Sequence, residues 1–169
     1  MIRDKINVLL DNLPDEELEN VYWQIKLIQK SYLFKKNLLD KGVIITEIFG
    51  EEAEEIKRLR DYKFAKNIDE EMKETIYFNQ FKWHIFSYEK QECLQKDAAR
   101  KAFDEVIKDD ELFVMYQHLP YITQYSKARK VVAADFDSEQ DIYIFNKDFT
   151  WTYVHTHESM CGPYFYSVK

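Results

Sequence analysis

Glycine and proline are scarce, with three of each in 169 residues. A chain so poor in turn-formers has few tight turns and long uninterrupted elements. Cysteine is rarer still: Cys93 and Cys161 stand far apart, and they read as free thiols rather than a disulfide. The sequence contains no glycine-rich phosphate loop, no GxSxG, no HExxH and no CxxC. Those absences argue against the common enzyme classes. No apolar run approaches the length of about 20 residues that spans a membrane. The opening MIRDKINVLLDNL sets Arg3, Asp4 and Lys5 where a signal peptide would begin its apolar stretch. The expected setting is cytoplasmic.

What the chain has in quantity is aromatic mass: 12 Phe, 12 Tyr and 3 Trp, which implies a bulky core. A hydrophobic share of 46%, a charged share of 33% and a mean hydropathy of -0.55 describe an ordered globular protein with solvated helix faces. The length suits one core, since a domain near 150 residues can bury roughly 70% of its unfolded surface. A formal charge of -7 disfavours any broad phosphate-binding face, so nucleic acid is a poor first partner. An acidic surface would instead steer a basic protein.

The periodicity predicts helices first and strands later. Ile6, Leu9, Leu10 and Leu13 recur at helical spacing; Pro14 with Asp15, Glu16 and Glu17 opens a second helix. Along it run Leu18, Val21, Tyr22, Ile25, Ile28 and Tyr32, and Gly42 supplies a stop. Residues 1–40 thus read as a helical extension, and residues 41–169 as an α+β domain. In the latter, Val43 to Phe49 is a short strand, Glu51 to Lys66 a helix, and Asp69 the cap of another. Ile76 to Tyr88, apolar on nearly every face, reads as a buried helix. Asp97 to Lys108 reads as a further one, broken by Asp109-Asp110-Glu111. Leu112 to His118 is a strand, and Tyr121 to Asp135 is open between helix and strand. Ile142 to Phe145 and Phe149 to His155 form a hairpin, followed by a last strand at Tyr164 to Val168. The fold expected is α+β, with helices in the first two thirds and a mostly antiparallel sheet in the last third.

Chemistry-bearing residues gather near the end of the chain. His155 and His157, two apart, would leave one strand face together with Phe149, Trp151 and Tyr153. Glu158 and Cys161 follow, but their spacing matches no zinc template, and no metal or other cofactor is expected. An acid–base role for the imidazoles, or a Cys161 nucleophile, remains an alternative; packing of His155 beside the aromatics is the simpler account. Asp135, Asp137, Glu139 and Asp141 imitate the first half of a calcium loop, yet Gln140 stands where glycine should. They read as a solvated acidic loop, forming a mixed surface with Lys127, Arg129 and Lys130. His84, beside Trp83, reads as a satisfied core histidine.

Four segments, YFNQFKWHIFSYEKQECL (77 to 94), ARKAF (99 to 103), DIYIFNKDFTWTYVHTHE (141 to 158) and GPYFY (162 to 166), resemble the family catalogued as domain of unknown function 4275. The resemblance runs over roughly residues 43 to 167. It implies a compact α+β protein of a Gram-positive-type bacterium or its mobile elements, without an assigned reaction. Trp83, His84, Trp151, His157, Glu158, Gly162 and Pro163 are its motif positions. With His155 and Tyr164, the motif aromatics and acid make up the candidate binding residues. The function expected is binding of another protein, in the manner of an immunity protein, antitoxin or inhibitor. The alternatives are a small hydrolase or metal-dependent enzyme using His155, His157 and Glu158, and a regulator that forms a homodimer through residues 1–40.

Overall fold

The computed structural model describes residues 1–108 and 111–168. The helix expected to run to Lys108 ends at Glu105, and of the breaker Asp109-Asp110-Glu111 the first two residues lie outside the described residues. The chain divides into two compact units, Met1–Lys36 and Asn37–Lys169.

The first unit holds α1 (Ile2–Asp11) and most of α2 (Asp15–Asp40), joined by the turn at Pro14. The Pro14 carbonyl accepts the amides of Glu17 at 3.0 Å and Leu18 at 3.1 Å, and three acids fill the first turn of α2, where they oppose the positive end of the helix dipole. Neither helix buries a residue within this unit: α1 has none, and α2 has only Leu38, which belongs to the second unit. Tyr22 (54%), Trp23 (58%), Ile25 (49%) and Ile28 (68%) are open to solvent.

The second unit is built on a seven-stranded sheet. Helix α2 ends where Gly42, at φ +87°, lets the Val43 amide reach back to the Leu38 carbonyl at 3.1 Å. Then come β1 (Ile44–Ile48), α3 (Gly50–Phe64), α4 (Glu70–Thr75), α5 (His84–Ser87), β2 (Leu94–Gln95) and α6 (Lys96–Glu105). They are followed by β3 (Glu111–Tyr116), β4 (Ile122–Ser126), two 3₁₀ turns at Ala128–Lys130 and Ala133–Phe136, β5 (Ile142–Asn146), β6 (Trp151–His155) and β7 (Tyr164–Ser167). The order across the sheet is β1-β4-β3-β5-β6-β7-β2 and every pairing is antiparallel. The α+β class is as the sequence indicated, with β1 and the two-residue β2 forming the edges.

Register decides what each face carries. Pairing Ile144 with Tyr153 and Val114 with Ile144 puts these residues on one face, where Phe103 of α6 stacks on Tyr153 at 4.5 Å between centroids and meets Trp151 at 5.8 Å. The opposite face carries Met115, Tyr143, Phe145, Val154, Tyr164 and Tyr166, packed against Phe64 of α3 and Phe86 of α5. The sheet is therefore covered on both sides. Phe149 departs from the expected alternation: at φ +52° it lies in the hairpin turn, and its ring stacks on Phe145 at 5.5 Å, on the face away from Trp151.

Two other segments differ from the sequence reading. The helix expected over Ile76 to Tyr88 is a run of turns leading into the four residues of α5. Tyr77 enters the left-handed region at φ +54°, its amide bonds to Glu74, and the Phe78 amide bonds to the Lys73 carbonyl at 2.9 Å, closing α4 in a Schellman turn. Glu89 closes α5 in the same way. Burial of Phe78, Trp83 and Phe86 was correctly indicated, while Tyr77 and Tyr88 are exposed, and non-glycine residues make the turns that glycine usually signals. The ambiguous segment after Tyr121 resolves into β4 and the two 3₁₀ turns.

Candidate functional site

The four alternating acids before β5 do not form a solvated loop; each clamps a different element. Asp135, with its side chain 6% exposed, accepts Lys41 Nζ at 2.5 Å, Asn37 Nδ2 at 2.8 Å and the Val132 amide at 2.9 Å. Asp137 pairs with Arg100 of α6, at 2.5 and 3.1 Å. Glu139 takes the Tyr116 hydroxyl at 2.6 Å, and burial together with that carboxylate pushes the phenol above its ordinary range.

Asp141 is the fourth clamp and the centre of the candidate site. It sits at φ +50°, a conformation that aspartate tolerates better than most residues, immediately before β5. Its Oδ1 accepts the Trp83 indole N–H at 2.9 Å and the His157 amide at 3.3 Å, and both oxygens lie 2.9 Å from His157 Nδ1. A carboxylate only accepts here, so Nδ1 carries the proton and Nε2 is the open nitrogen, 3.8 Å from Glu158 Oε1. The same logic fixes two other imidazoles. His84 Nδ1 donates to the Ile76 carbonyl at 2.7 Å, and His155 Nδ1 to the Glu139 carbonyl at 2.8 Å.

Around this centre the loop before α5 supplies aromatic walls. The Phe81 ring lies 5.0 Å from His157, 5.5 Å from His84 and Trp83, and 5.8 Å from His118, in tilted or edge-on arrangements. Trp83 also meets His84 edge-on at 4.5 Å. Beneath them the Trp83 amide donates to the Tyr143 hydroxyl, which itself donates to Gln117 Oε1 at 2.5 Å.

The structure therefore brings together Trp83, His84, His157 and Glu158 and separates the rest. His155 and His157 do not leave one strand face: β6 ends at His155, and His157, beyond it, turns to Asp141 and the Trp83 loop. Trp151 packs on the α6 face and stacks on Phe165 at 5.9 Å. Tyr164 belongs to the opposite core, against Phe86. His155, His157, Glu158 and Cys161 do line one depression of about 260 Å³. Its floor is shaped by Gly162, at φ +85°, where a β-carbon would crowd the Tyr164 ring at 3.2 Å and Thr156 at 3.3 Å. The Cys161 thiol is pushed up by burial and by Glu158, the opposite of what a nucleophilic thiolate needs. Among the described residues no group of three or more His, Cys, Asp and Glu side chains is arranged to hold a metal ion.

A model of the family described as domain of unknown function (DUF4275) matches residues 15–165. The chain belongs to that family. The match reaches back through the whole of α2, so the long helix is part of the family's pattern along with the sheet. No curated protein and no solved structure matches the chain. Among the described residues no helix is long and apolar enough to cross a membrane.

Asp141, Phe81 and His118 are the members of the site that the sequence reading missed. Asp141 was hidden inside the acidic alternation, and its signal was position: an acid one residue before a buried strand. Phe81 and His118 carried no signal apart from the fold.

Proposed function

We propose that the chain is a non-enzymatic, cytoplasmic bacterial protein that acts by binding another protein chain, as an immunity protein, antitoxin or inhibitor does. The observation that carries this reading is the exposure of Ile2, Leu9, Tyr22, Trp23, Ile25 and Ile28 on α1 and α2. Exposed apolar side chains in this number mark interaction sites on soluble proteins, and Trp and Tyr are the residue types that anchor them. The formal charge of -7 favours a basic partner by steering it electrostatically.

The enzyme reading has one observation in its favour, the Asp141–His157 pair, which fixes the imidazole as an aspartate does in a general acid–base dyad. The Cys161 thiol nearby is pushed up rather than down, away from a nucleophilic thiolate. Asp141 also has a structural task, joining Trp83 to His157. Binding is therefore the better-supported function.

The test compares the full chain with Ile25→Glu/Ile28→Glu. A smaller mass in solution or reduced binding of an apolar dye, with the far-ultraviolet circular dichroism unchanged, is the expected result. Loss of the circular dichroism would mean that these side chains serve the fold of the chain itself.

A further inference from the structure

Resting on that reading, we infer that the chain seated on α2 is a second copy of this protein, docked antiparallel about a two-fold axis. Three features of the helix select this occupant.

The first is spacing. Leu18, Val21, Ile25, Ile28 and Tyr32 succeed one another by alternating steps of three and four residues, with Lys35 next in the series. That is the seam of a two-stranded coiled coil, and Val and Ile are residue types that such seams use. Leu18 and Val21 are half-buried, and the three that follow are exposed. A helix surrounded by water on this face gains no tertiary stability from it.

The second is charge. Asp15, Glu16, Glu17 and Glu19 crowd the start of α2, and Lys26, Lys30 and Lys35 lie later along it. Two parallel copies would set like charge beside like. Antiparallel copies place Ile25 opposite Ile28, Val21 opposite Tyr32 and Leu18 opposite Lys35. The Lys35 ammonium then falls among the four acids of the second copy. The positions flanking the middle of the seam, Tyr22, Gln24, Gln29 and Ser31, are uncharged and raise no barrier to self-pairing.

The third is area. The α2 seam with Tyr22 exposes on the order of 500 Å² of apolar side chain. Interfaces are a little over half apolar, so this corresponds to about 800 Å² per partner, the size of a stable protein–protein contact. A two-fold arrangement uses the same patch on both copies and closes on itself, leaving no seam open for further addition.

Light scattering on the full chain tests the assignment. The expected mass is twice the 20.5 kDa of one chain, and Ile25→Glu/Ile28→Glu should return it to a single chain. Two charge variants then test the antiparallel docking. Asp15→Lys/Glu16→Lys/Glu17→Lys/Glu19→Lys and Lys30→Glu/Lys35→Glu should each self-associate more weakly, by tenfold or more, and should pair with one another when mixed. Failure of the mixture to pair would overturn the antiparallel arrangement. A monomer throughout the micromolar range overturns the second copy as occupant, and dye binding then separates the two ideas. A monomer that binds an apolar dye, with the dye lost in Ile25→Glu/Ile28→Glu, keeps the protein-contact reading with a foreign partner. A monomer that binds none loses that reading too.

Discussion

Asp141 holds His157 by its Nδ1, with both carboxylate oxygens at 2.9 Å, and through the same Oδ1 holds the indole of Trp83. One side chain thus ties the start of β5 to the segment after β6 and to the loop before α5. Trp83 is 1% exposed, so removing the acceptor strands a buried indole N–H. Alanine would also sit poorly at φ +50°. Asp141→Ala is expected to cost about 2–4 kcal/mol in urea denaturation, and Asp141→Asn distinctly less, because asparagine can accept one bond and tolerates this backbone. Equal losses for the two variants would contradict this account.

Trp151 anchors the other face of the sheet. It is 5% exposed, and it meets Phe103 edge-on and Phe165 in a stack. Truncating a buried tryptophan typically costs about 3–5 kcal/mol. Trp151→Ala and Phe103→Ala share one cluster, so their double variant should lose less than the sum of the single losses. Strict additivity in denaturant melts would show that the two rings are energetically independent.

Much of this fold was legible because alternation and helical periodicity survive in a core that needs both faces of the sheet covered. Val43 to Phe49 and the hairpin around Asn146 could be read from β-branched runs and turn residues. The loop from Ile76 to Trp83 could not, because Tyr77 takes a left-handed turn that sequence normally reserves for glycine. The site was half legible. Trp83, His84, His157 and Glu158 were named, but their meeting depends on Asp141, whose acid neighbours look identical to it in sequence. Pairing each acid with its own partner requires the third dimension: Lys41 lies 94 positions from Asp135.

Arg60 occupies a core position of α3, 1% exposed, with its guanidinium 4.6 Å from the Tyr143 ring and Nη1 2.8 Å from Asp61. Asp61 also binds Lys82, whose pKa is lowered by burial. One carboxylate therefore serves two cations, and the Arg60 Nε has no partner. Asp61→Ala leaves both cations without this carboxylate and should cost about 2–4 kcal/mol, less than for a fully buried pair broken from one side because the Asp61 side chain is 28% exposed. Arg60→Met retains the Lys82–Asp61 pair and fills the space with apolar volume, so it should cost under about 1 kcal/mol or stabilise. A reversed order of the two chemical-denaturation midpoints would mean that the guanidinium is the element holding this corner.

Alkaline pH should unfold the protein through its tyrosines. Burial, first among the causes, raises the phenols of Tyr116, Tyr125, Tyr143, Tyr153 and Tyr164 above their ordinary value, and the Cys93 thiol is pushed up to about 11 in the same way. A group whose folded pKa lies above its unfolded one binds its proton more tightly in the native state. Its contribution to stability is therefore complete below the unfolded pKa and is lost as pH rises beyond it. For tyrosine that threshold is about 10. The titration of these groups should leave denaturant midpoints unaffected between about pH 6 and 8; the Cys93 thiol begins to lower them above about pH 8.5, and the tyrosines lower them steeply above about pH 10. Near-ultraviolet absorbance should show the exposed tyrosines ionising first, with the buried group following only as the far-ultraviolet circular dichroism collapses. If all 12 tyrosines titrated together near their ordinary pKa with the dichroism intact, the burial of these five would not be what sets their ionisation.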